Sequence, residues 1–460
     1  MDNAPEKISA FEKRIKRQVI GKPHRFLAVV PLGFEQTFVD EFFSIDESAD
    51  SFDIKIVGDG KVEFTAKLVE AWKIAAYSRI ANRIQMHIAD FKAENFRDLE
   101  RKAAEVPWEL FLDERNCHIN IHVTCKHSRL YHSDAVAERL YKVIEGGSLP
   151  LAPAKASATP TPRGFAPNTP RHPELDSGSD YLPIPGQALF VTLIDDRCTI
   201  WLDLAGEELY KRGHERFVND APLKETIAAA MLFESTKIAD APVALFDLMA
   251  GSGTFSLEAA YIANRLIPGV CRDFALKHQP AFKEPTWRFI LDERRGSAGS
   301  PTEARDERVV KIVTSDISEK AVSIIKHNVE SAPLPAGTID PQVRDFFSYT
   351  AKEIADACPG ETSPVILLNP PYGKRLDVDA PALYKRLGRR LAELARTLDS
   401  LGKKLTVGIL APRDIPASKY TCTANLLREC PSLDPVQNPN VKFIVTSHGG
   451  LTLNAIFATI

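Results

Sequence analysis

The stretch Val243-Ala244-Leu245-Phe246, running into Asp247-Leu248-Met249-Ala250-Gly251-Ser252-Gly253-Thr254, constrains this chain most. A short apolar run that ends on an acid and passes two glycines into a helical pattern reads as a buried strand, a tight turn and a helix start. Similar strand-like runs recur at 309–313, 365–368 and 405–410, separated by helical patterns at 255–263, 321–329 and 383–398. In the last of these, Leu383, Leu387, Leu391, Leu394 and Leu398 fall on one side. Such alternation predicts an α/β fold with a mainly parallel, doubly wound, Rossmann-like sheet. Apolar runs at 441–445 and 451–460, joined through His448-Gly449-Gly450, predict a terminal antiparallel hairpin. Ligands of such sheets sit at the carboxyl ends of the strands.

A chain of 460 residues exceeds one ordinary domain. Hydrophobic and charged shares of 44% and 26% are those of globular proteins, and no apolar run reaches the roughly 18 residues that read as a membrane span. Seven cysteines without CxxC spacing, and a start without an apolar signal core, favour a reducing cytoplasm with neither disulfides nor a metal site. Net charge is −3, so any nucleic-acid contact must come from local patches.

Pro150, Pro153, Pro160, Pro162, Pro167, Pro170, Pro173, Pro183 and Pro185 are interleaved with Ala, Ser, Thr and Gly. A stretch of this composition buries too little apolar surface to offset its ordering entropy, so 151–186, and at least 152–180 of it, is expected to be a disordered insertion or extended linker. Before it, runs at 26–30, 52–57 and 62–64, the last two joined by Gly58-Asp59-Gly60, look like strands. Helical spacing follows over 68–84, then a strand at 119–123 and a helix at 134–143. The expected division is an α+β module over 1–90, a second βα module over 91–150 completed by a strand near 187–202, and a third domain over 203–460.

The loop at Gly251 and Gly253 lets backbone approach a ligand and aims free helix N–H groups at an anion. It lacks the Lys of a GxxxxGK[ST] phosphate loop and the third glycine of GxGxxG, which lowers the nucleoside triphosphate and dinucleotide readings. The alternative is a plain βα turn. Thr314-Ser315-Asp316 ends the next strand, where an acid can accept both hydroxyls of a ribose or cap the helix that begins near Glu319. Asp345, followed by Phe346, offers a carboxylate for an adenine amino group beside an aromatic wall, or is a solvated turn acid.

Asn369-Pro370-Pro371-Tyr372-Gly373 follows the third apolar run. An exocyclic ring amine is a poor nucleophile because its lone pair is delocalised. Two acceptors that hold its hydrogens favour pyramidal nitrogen and aim the lone pair at an electrophile, an interaction strongest in the transition state. The Asn369 side-chain carbonyl and the Pro370 backbone carbonyl are candidates, with torsions set by two prolines. Tyr372 offers a ring face for the target base. A sulfonium methyl as electrophile needs neither metal nor strong base. The competing reading is a turn after a buried strand.

These residues resemble the class I, S-adenosylmethionine-dependent methyltransferases. Beyond them, 203–213 (Asp203-Leu204-Ala205-Gly206 onward) and 221–230 (Ala221-Pro222-Leu223-Lys224 onward) look like the segment preceding the core of THUMP-containing RNA guanine-N2-methyltransferases of the bacterial large-subunit rRNA type. The segment 124–136, from Thr124-Cys125-Lys126-His127, is similar to the RNA-facing part of the THUMP module, while 78–83 and Val106-Pro107-Trp108 fit a ferredoxin-like part ahead of it. The resemblance implies a cofactor set of Asp247, Ala250, Gly251, Gly253, Thr254, Asp316, Ile317, Asp345 and Phe346 for S-adenosylmethionine. It implies catalysis by Asn369, Pro370, Pro371 and Tyr372, and RNA contact by Lys126, His127, Arg129, Tyr131 and His132. The implied product is N2-methylguanosine in RNA, most naturally large-subunit rRNA, with tRNA as the alternative RNA. Asn-Pro-Pro-Tyr also serves protein glutamine N5-methyltransferases, but those have no use for an RNA-type module.

Overall fold

The computed structural model describes residues 9–45, 52–113, 119–146, 186–218, 222–240, 242–296, 308–372, 379–414 and 421–460. The proline-rich stretch expected over 151–186 lies, apart from its last residue, outside the described residues. So does Gly373.

Two seven-stranded sheets carry the described chain. The first is formed by β1 (Pro23–Val29), β2 (Ile54–Gly58), β3 (Lys61–Lys67), β4 (Arg83–Lys92), β5 (Ile119–Lys126), β6 (Gln187–Ile194) and β7 (Arg197–Asp203), in the order β2-β3-β1-β4-β7-β6-β5. All of its pairings are antiparallel except β5 with β6. The expected boundary at residue 90 falls inside β4, which joins both halves in one sheet.

Helical spacing over 68–84 overstates that helix, which runs Leu68–Tyr77. The buried Glu41 carboxylate accepts from the Ser78 hydroxyl at 2.6 Å and from the Arg79 and Ile80 N–H groups at 2.8 and 3.4 Å. Those amides are diverted into a turn, and the chain re-emerges as β4, whose strand character the apolar periodicity concealed. The helix pattern at 383–398 is realised as Ala380–Ser400, with Leu387, Leu391, Leu394 and Leu398 buried and Asp379 accepting from the Ala382 N–H at 3.1 Å as N-cap.

The second sheet contains β8 (Val243–Asp247), β9 (Val309–Asp316), β10 (Gln342–Val343), β11 (Ser363–Leu368), β12 (Thr406–Pro412), β13 (Lys442–His448) and β14 (Leu451–Thr459), in the order β10-β9-β8-β11-β12-β14-β13. β8 to β12 pair in parallel, and the β13–β14 hairpin joins β12 antiparallel. β8 is buried at all five positions, as a parallel strand covered on both faces requires. The chain moves outward from β8 through β9 to β10 and then crosses to β11 on the other side. The carboxyl ends of β8 and β11 therefore flank the switch point of the sheet, the place where open sheets of this kind bind ligands.

The two sheets share a core. Phe34, Phe38, Phe42 and Trp72 of the first half are fully buried in the same apolar cluster as Met231, Leu232, Phe274 and Trp287 of the second. Each such side chain contributes about 2–3 kcal/mol by leaving water. Ion pairs lock the seam. Glu258 is held bidentately by Arg212 at 2.9 and 3.2 Å and reached by Arg79 at 3.4 Å, while Glu234 accepts from Thr37 at 2.6 Å and from Lys442 at 2.7 Å.

Candidate active site

At the end of β8 the Asp247 carboxylate is buried, and one oxygen accepts from the Ser256 N–H at 3.1 Å and the Ser256 hydroxyl at 2.7 Å. That hydroxyl also lies 2.8 Å from Thr314 Oγ1 on β9. The other Asp247 oxygen is buried without a hydrogen-bond partner among the described residues. Burial pushes this carboxyl up to about 7, against the hydrogen bonds from Ser256.

Gly251 and Gly253 adopt φ of 58° and 79°, a region that glycine enters without a Cβ penalty. A Cβ on Gly253 would also lie 3.0 Å from Ile325. The loop is closed by hydrogen bonds from Gly253 N–H to the Ala250 carbonyl (2.7 Å) and from Ala250 N–H to the Ser315 carbonyl (3.1 Å). Thr254 starts the helix Thr254–Ala263.

Asp316 meets this loop from β9. Its carboxylate accepts from the Gly251 N–H at 2.9 Å through one oxygen and from the Ser318 N–H at 2.9 Å through the other. The cap of the following helix is Ser318, whose hydroxyl accepts from the Ala321 N–H at 3.3 Å, so Asp316 braces the glycine loop instead of capping. Ile317 beside it is 71% exposed, an apolar face with no covering. Asp345 accepts from the Phe347 N–H at 3.1 Å and caps the short 3-10 turn Phe346–Ser348. Phe346 itself is 1% exposed and packs in the core at the opposite face of the sheet from the shared cluster, so the ring fills the core and presents no open aromatic wall.

The tetrad lies across the switch point, at the end of β11. Asn369 Oδ1 is buried yet has no hydrogen-bond partner among the described residues, Pro370 is buried, and Pro371 and Tyr372 are half-buried. Tyr372 packs against the shared core cluster. A buried carbonyl left without a donor is costly, and this one sits at the carboxyl end of β11, beside that of β8.

Sequence reasoning missed a strap over the glycine loop. Arg216, pinned to Glu225, donates to the Ser252 hydroxyl at 3.2 Å and to the Thr254 hydroxyl. Burial lowers its guanidinium to about 10. Asn328 accepts from the Phe217 N–H at 2.8 Å and donates to the carbonyls of Phe217 (2.9 Å) and Ser252 (3.1 Å). The Phe217 ring stacks on His327 at 3.9 Å. No local signal marks these residues, because their partners are distant in sequence.

The residues expected to touch RNA follow the edge strand β5 of the first sheet. Lys126 ends that strand exposed, His127 takes a φ of 49°, and Tyr131 is 69% exposed with the His132 ring 4.0 Å away. Arg129 is engaged by Glu94 at 2.5 Å and Asp196 at 3.5 Å. Among the described residues no group of His, Cys, Asp and Glu could hold a metal ion, and no helix is long and apolar enough to cross a membrane.

A Bacillus subtilis protein named as a candidate RNA methyltransferase, YpsC, is 27% identical over 378 residues, covering 81% of this chain and 86% of its own length. The ribosomal RNA large subunit methyltransferase K/L of Allochromatium vinosum is 29% identical over 350 residues, covering 73% of this chain and 42% of its own. The chain spans less than half the length of the K/L relatives it matches. The crystal structure of SMU.472, a methyltransferase candidate complexed with SAH, superposes with a TM-score of 0.68 at 21% identity, covering 95% of this chain and 98% of that one, and so shares the fold. Residues 212–404 match the family model described as RMKL-like, methyltransferase domain, and these residues include the glycine loop, Asp316 and the Asn-Pro-Pro-Tyr tetrad. The chain is therefore a methyltransferase, whose residues 212–404 are similar to the RMKL-like methyltransferase domain.

Proposed function

We propose that this chain methylates the exocyclic N2 amine of a guanosine in structured RNA, most naturally large-subunit rRNA, in the cytoplasm, using S-adenosylmethionine. The observation that carries this reading is the buried Oδ1 of Asn369 at the carboxyl end of β11, without a hydrogen-bond partner among the described residues. Names of relatives that act on ribosomal RNA support the choice of substrate class.

The cradle fits S-adenosylmethionine. The second oxygen of Asp247 lacks a donor among the described residues, and each Asp316 oxygen keeps a lone pair beyond its backbone contact. Asp316 would hold the ribose hydroxyls, Ile317 would lie against the adenine and Asp345 would accept its amino group. The bound cofactor supplies a methyl group on a positively charged sulfur.

The chain's own residues prepare the amine. Asn369 Oδ1 and the Pro370 carbonyl accept its two hydrogens, nitrogen becomes pyramidal, and its lone pair is directed across the switch point towards the glycine loop. Because the acceptors are fixed by proline and by the end of a buried strand, little reorganisation is needed as charge develops on nitrogen. Tyr372 provides a stacking face for the extruded base, and the amine proton passes to water. Lys126, His127, Arg129, Tyr131 and His132 on the other sheet would hold RNA outside the site.

Incubation with radiolabelled S-adenosylmethionine and, in parallel, deproteinised large-subunit rRNA, tRNA and a release-factor protein tests the proposal. Label in rRNA that digests to N2-methylguanosine is the expected result. Label confined to protein, or recovered as N6-methyladenosine, overturns it.

A further inference from the structure

A cleft of about 400 Å³ opens where the two sheets meet, apart from both motifs. One wall is the chain leaving β1 together with the turn between β2 and β3. The other is the β13–β14 turn, and the start of the helix Glu225–Ala239 lies between them. Topology puts this cleft on the side of the second sheet that carries the tetrad. β14 begins at Leu451 opposite the carboxyl end of β12, where Pro412 pairs with Leu453, so the turn at Gly449 and Gly450 projects from that edge. The helix Glu225–Ala239 precedes β8 and starts at the same edge.

The walls are held at fixed spacing. His448 Nε2 donates to the Pro222 carbonyl at 2.8 Å, tying the hairpin tip to the segment that leads into the helix. Glu35 Oε1 accepts from the N–H groups of Gly33 at 3.0 Å and Gly60 at 2.5 Å, fixing the β2–β3 turn. A Cβ on Gly33 would lie 2.3 Å from the Val445 carbonyl, so the first half seats directly on β13. Among the described side chains that line the cleft, Lys61 and Lys224 are cationic and Asp59, on the exposed turn, is the one acid. Lys224 has a loose partner in Glu208 at 3.7 Å and the Tyr210 ring at 4.6 Å, while Lys61 stands exposed. Both are flexible, hydrated point charges of the kind that follow a phosphate backbone without reading bases.

We propose that this inter-sheet cleft holds two backbone phosphates of the single-stranded RNA that leads to the target base, through Lys61 and Lys224. The inference rests on the RNA reading above and adds a contact surface on a different part of the first sheet from the β5 edge. A base extruded into the site pulls its flanking backbone across the carboxyl edge of the second sheet, and the cleft lies along that edge.

Lys61→Gln combined with Lys224→Gln tests it in the full chain, with a thermal melt to verify folding. The probe is a single-stranded RNA fragment excised from large-subunit rRNA that the wild type methylates, titrated across a range of salt. The slope of log affinity against log salt should become shallower by about 1.4, at roughly 0.7 per phosphate on a single strand, and affinity at low salt should fall roughly tenfold. S-adenosylmethionine affinity of the double variant should match the wild type. As a second measurement, 4-thiouridine placed next to the target base should cross-link to peptides containing 59–61 or 447–450. A wild type that methylates RNA beside a double variant of unchanged affinity and slope overturns the cleft and leaves the reaction standing. A wild type that neither binds nor methylates RNA removes the reaction and the cleft with it.

Discussion

The glycine loop after β8 and the tetrad after β11 sit on neighbouring strand ends of one sheet, yet they are built oppositely. In the loop almost every polar group already has a partner inside the protein: Gly251 on Asp316, Gly253 on Ala250, and Ser252 on Arg216 and Asn328. In the tetrad the decisive oxygen, Asn369 Oδ1, has none among the described residues. A cradle for a cofactor common to every turnover gains by being rigid beforehand. A group that acts on the reacting atom is most useful when its interaction is completed only with substrate in place. The contrast separates an acceptor whose interaction is to be completed by the reacting atom from a loop whose bonds are mostly completed within the protein, although Asp247 Oδ1 leaves the cradle an open acceptor as well.

Asn369→Ala should break the comparison on the chemical side with the largest effect. Methyl transfer should fall about 100- to 1,000-fold, or about 3–4 kcal/mol in barrier, at nearly unchanged S-adenosylmethionine affinity. Single-turnover rates beside calorimetry check this, and an unchanged rate would remove Asn369 from the reaction. Gly253→Ala attacks the support instead. Forcing a Cβ into positive φ, 3.0 Å from Ile325, should cost about 1–3 kcal/mol and weaken the cofactor roughly tenfold or more, visible in a melt and a binding titration.

Asp316→Ala is expected to do less, because backbone N–H groups near the surface can turn to water. Cofactor affinity should drop roughly tenfold with RNA affinity intact. Equal losses of both ligands would show that the carboxylate serves only to brace the loop.

The pH dependence of Asp247 sharpens the contrast further. Its carboxyl titrates at about 7 in the folded chain, above the ordinary carboxylate value of about 3.9 that holds when unfolded. The unfolded chain therefore loses this proton first. The group's contribution to stability is full below about pH 4, declines as pH climbs to about 7 and stays flat above. Asp247→Asn should remove that decline, so the variant's melting temperature relative to wild type should be higher at pH 8 than at pH 5. A difference independent of pH would contradict the burial argument.

The smallest effect is expected at the edge of the first sheet. Lys126→Ala should reduce the salt slope of RNA binding by about 0.7. Arg129→Ala should change it less, because Glu94 and Asp196 already neutralise that guanidinium. Slopes measured for each variant separately decide the point.

The sequence alone determined the parallel sheet, the terminal hairpin and the places of the glycine loop and the tetrad. Buried parallel strands must be short continuous apolar runs, and left-handed turns and fixed torsions demand glycine and proline locally. Asp316 was legible as an acid at a strand end for the same reason. What only the tertiary structure decided rests on partners far apart in the chain. Glu41 ends the helix at Tyr77 and releases β4 into the first sheet, although the apolar spacing of 68–84 continues past that point. Phe346, read as a wall for a ligand, is drawn into the core, where it joins the buried cluster on one face of the second sheet. Arg216 and Asn328 reach the glycine loop across 36 and 76 residues, and the orphaned oxygen of Asn369 exists only because folding buries it without bringing a donor. Periodicity and turn chemistry are properties of neighbours along the chain, whereas burial and hydrogen-bond satisfaction are properties of neighbours in space.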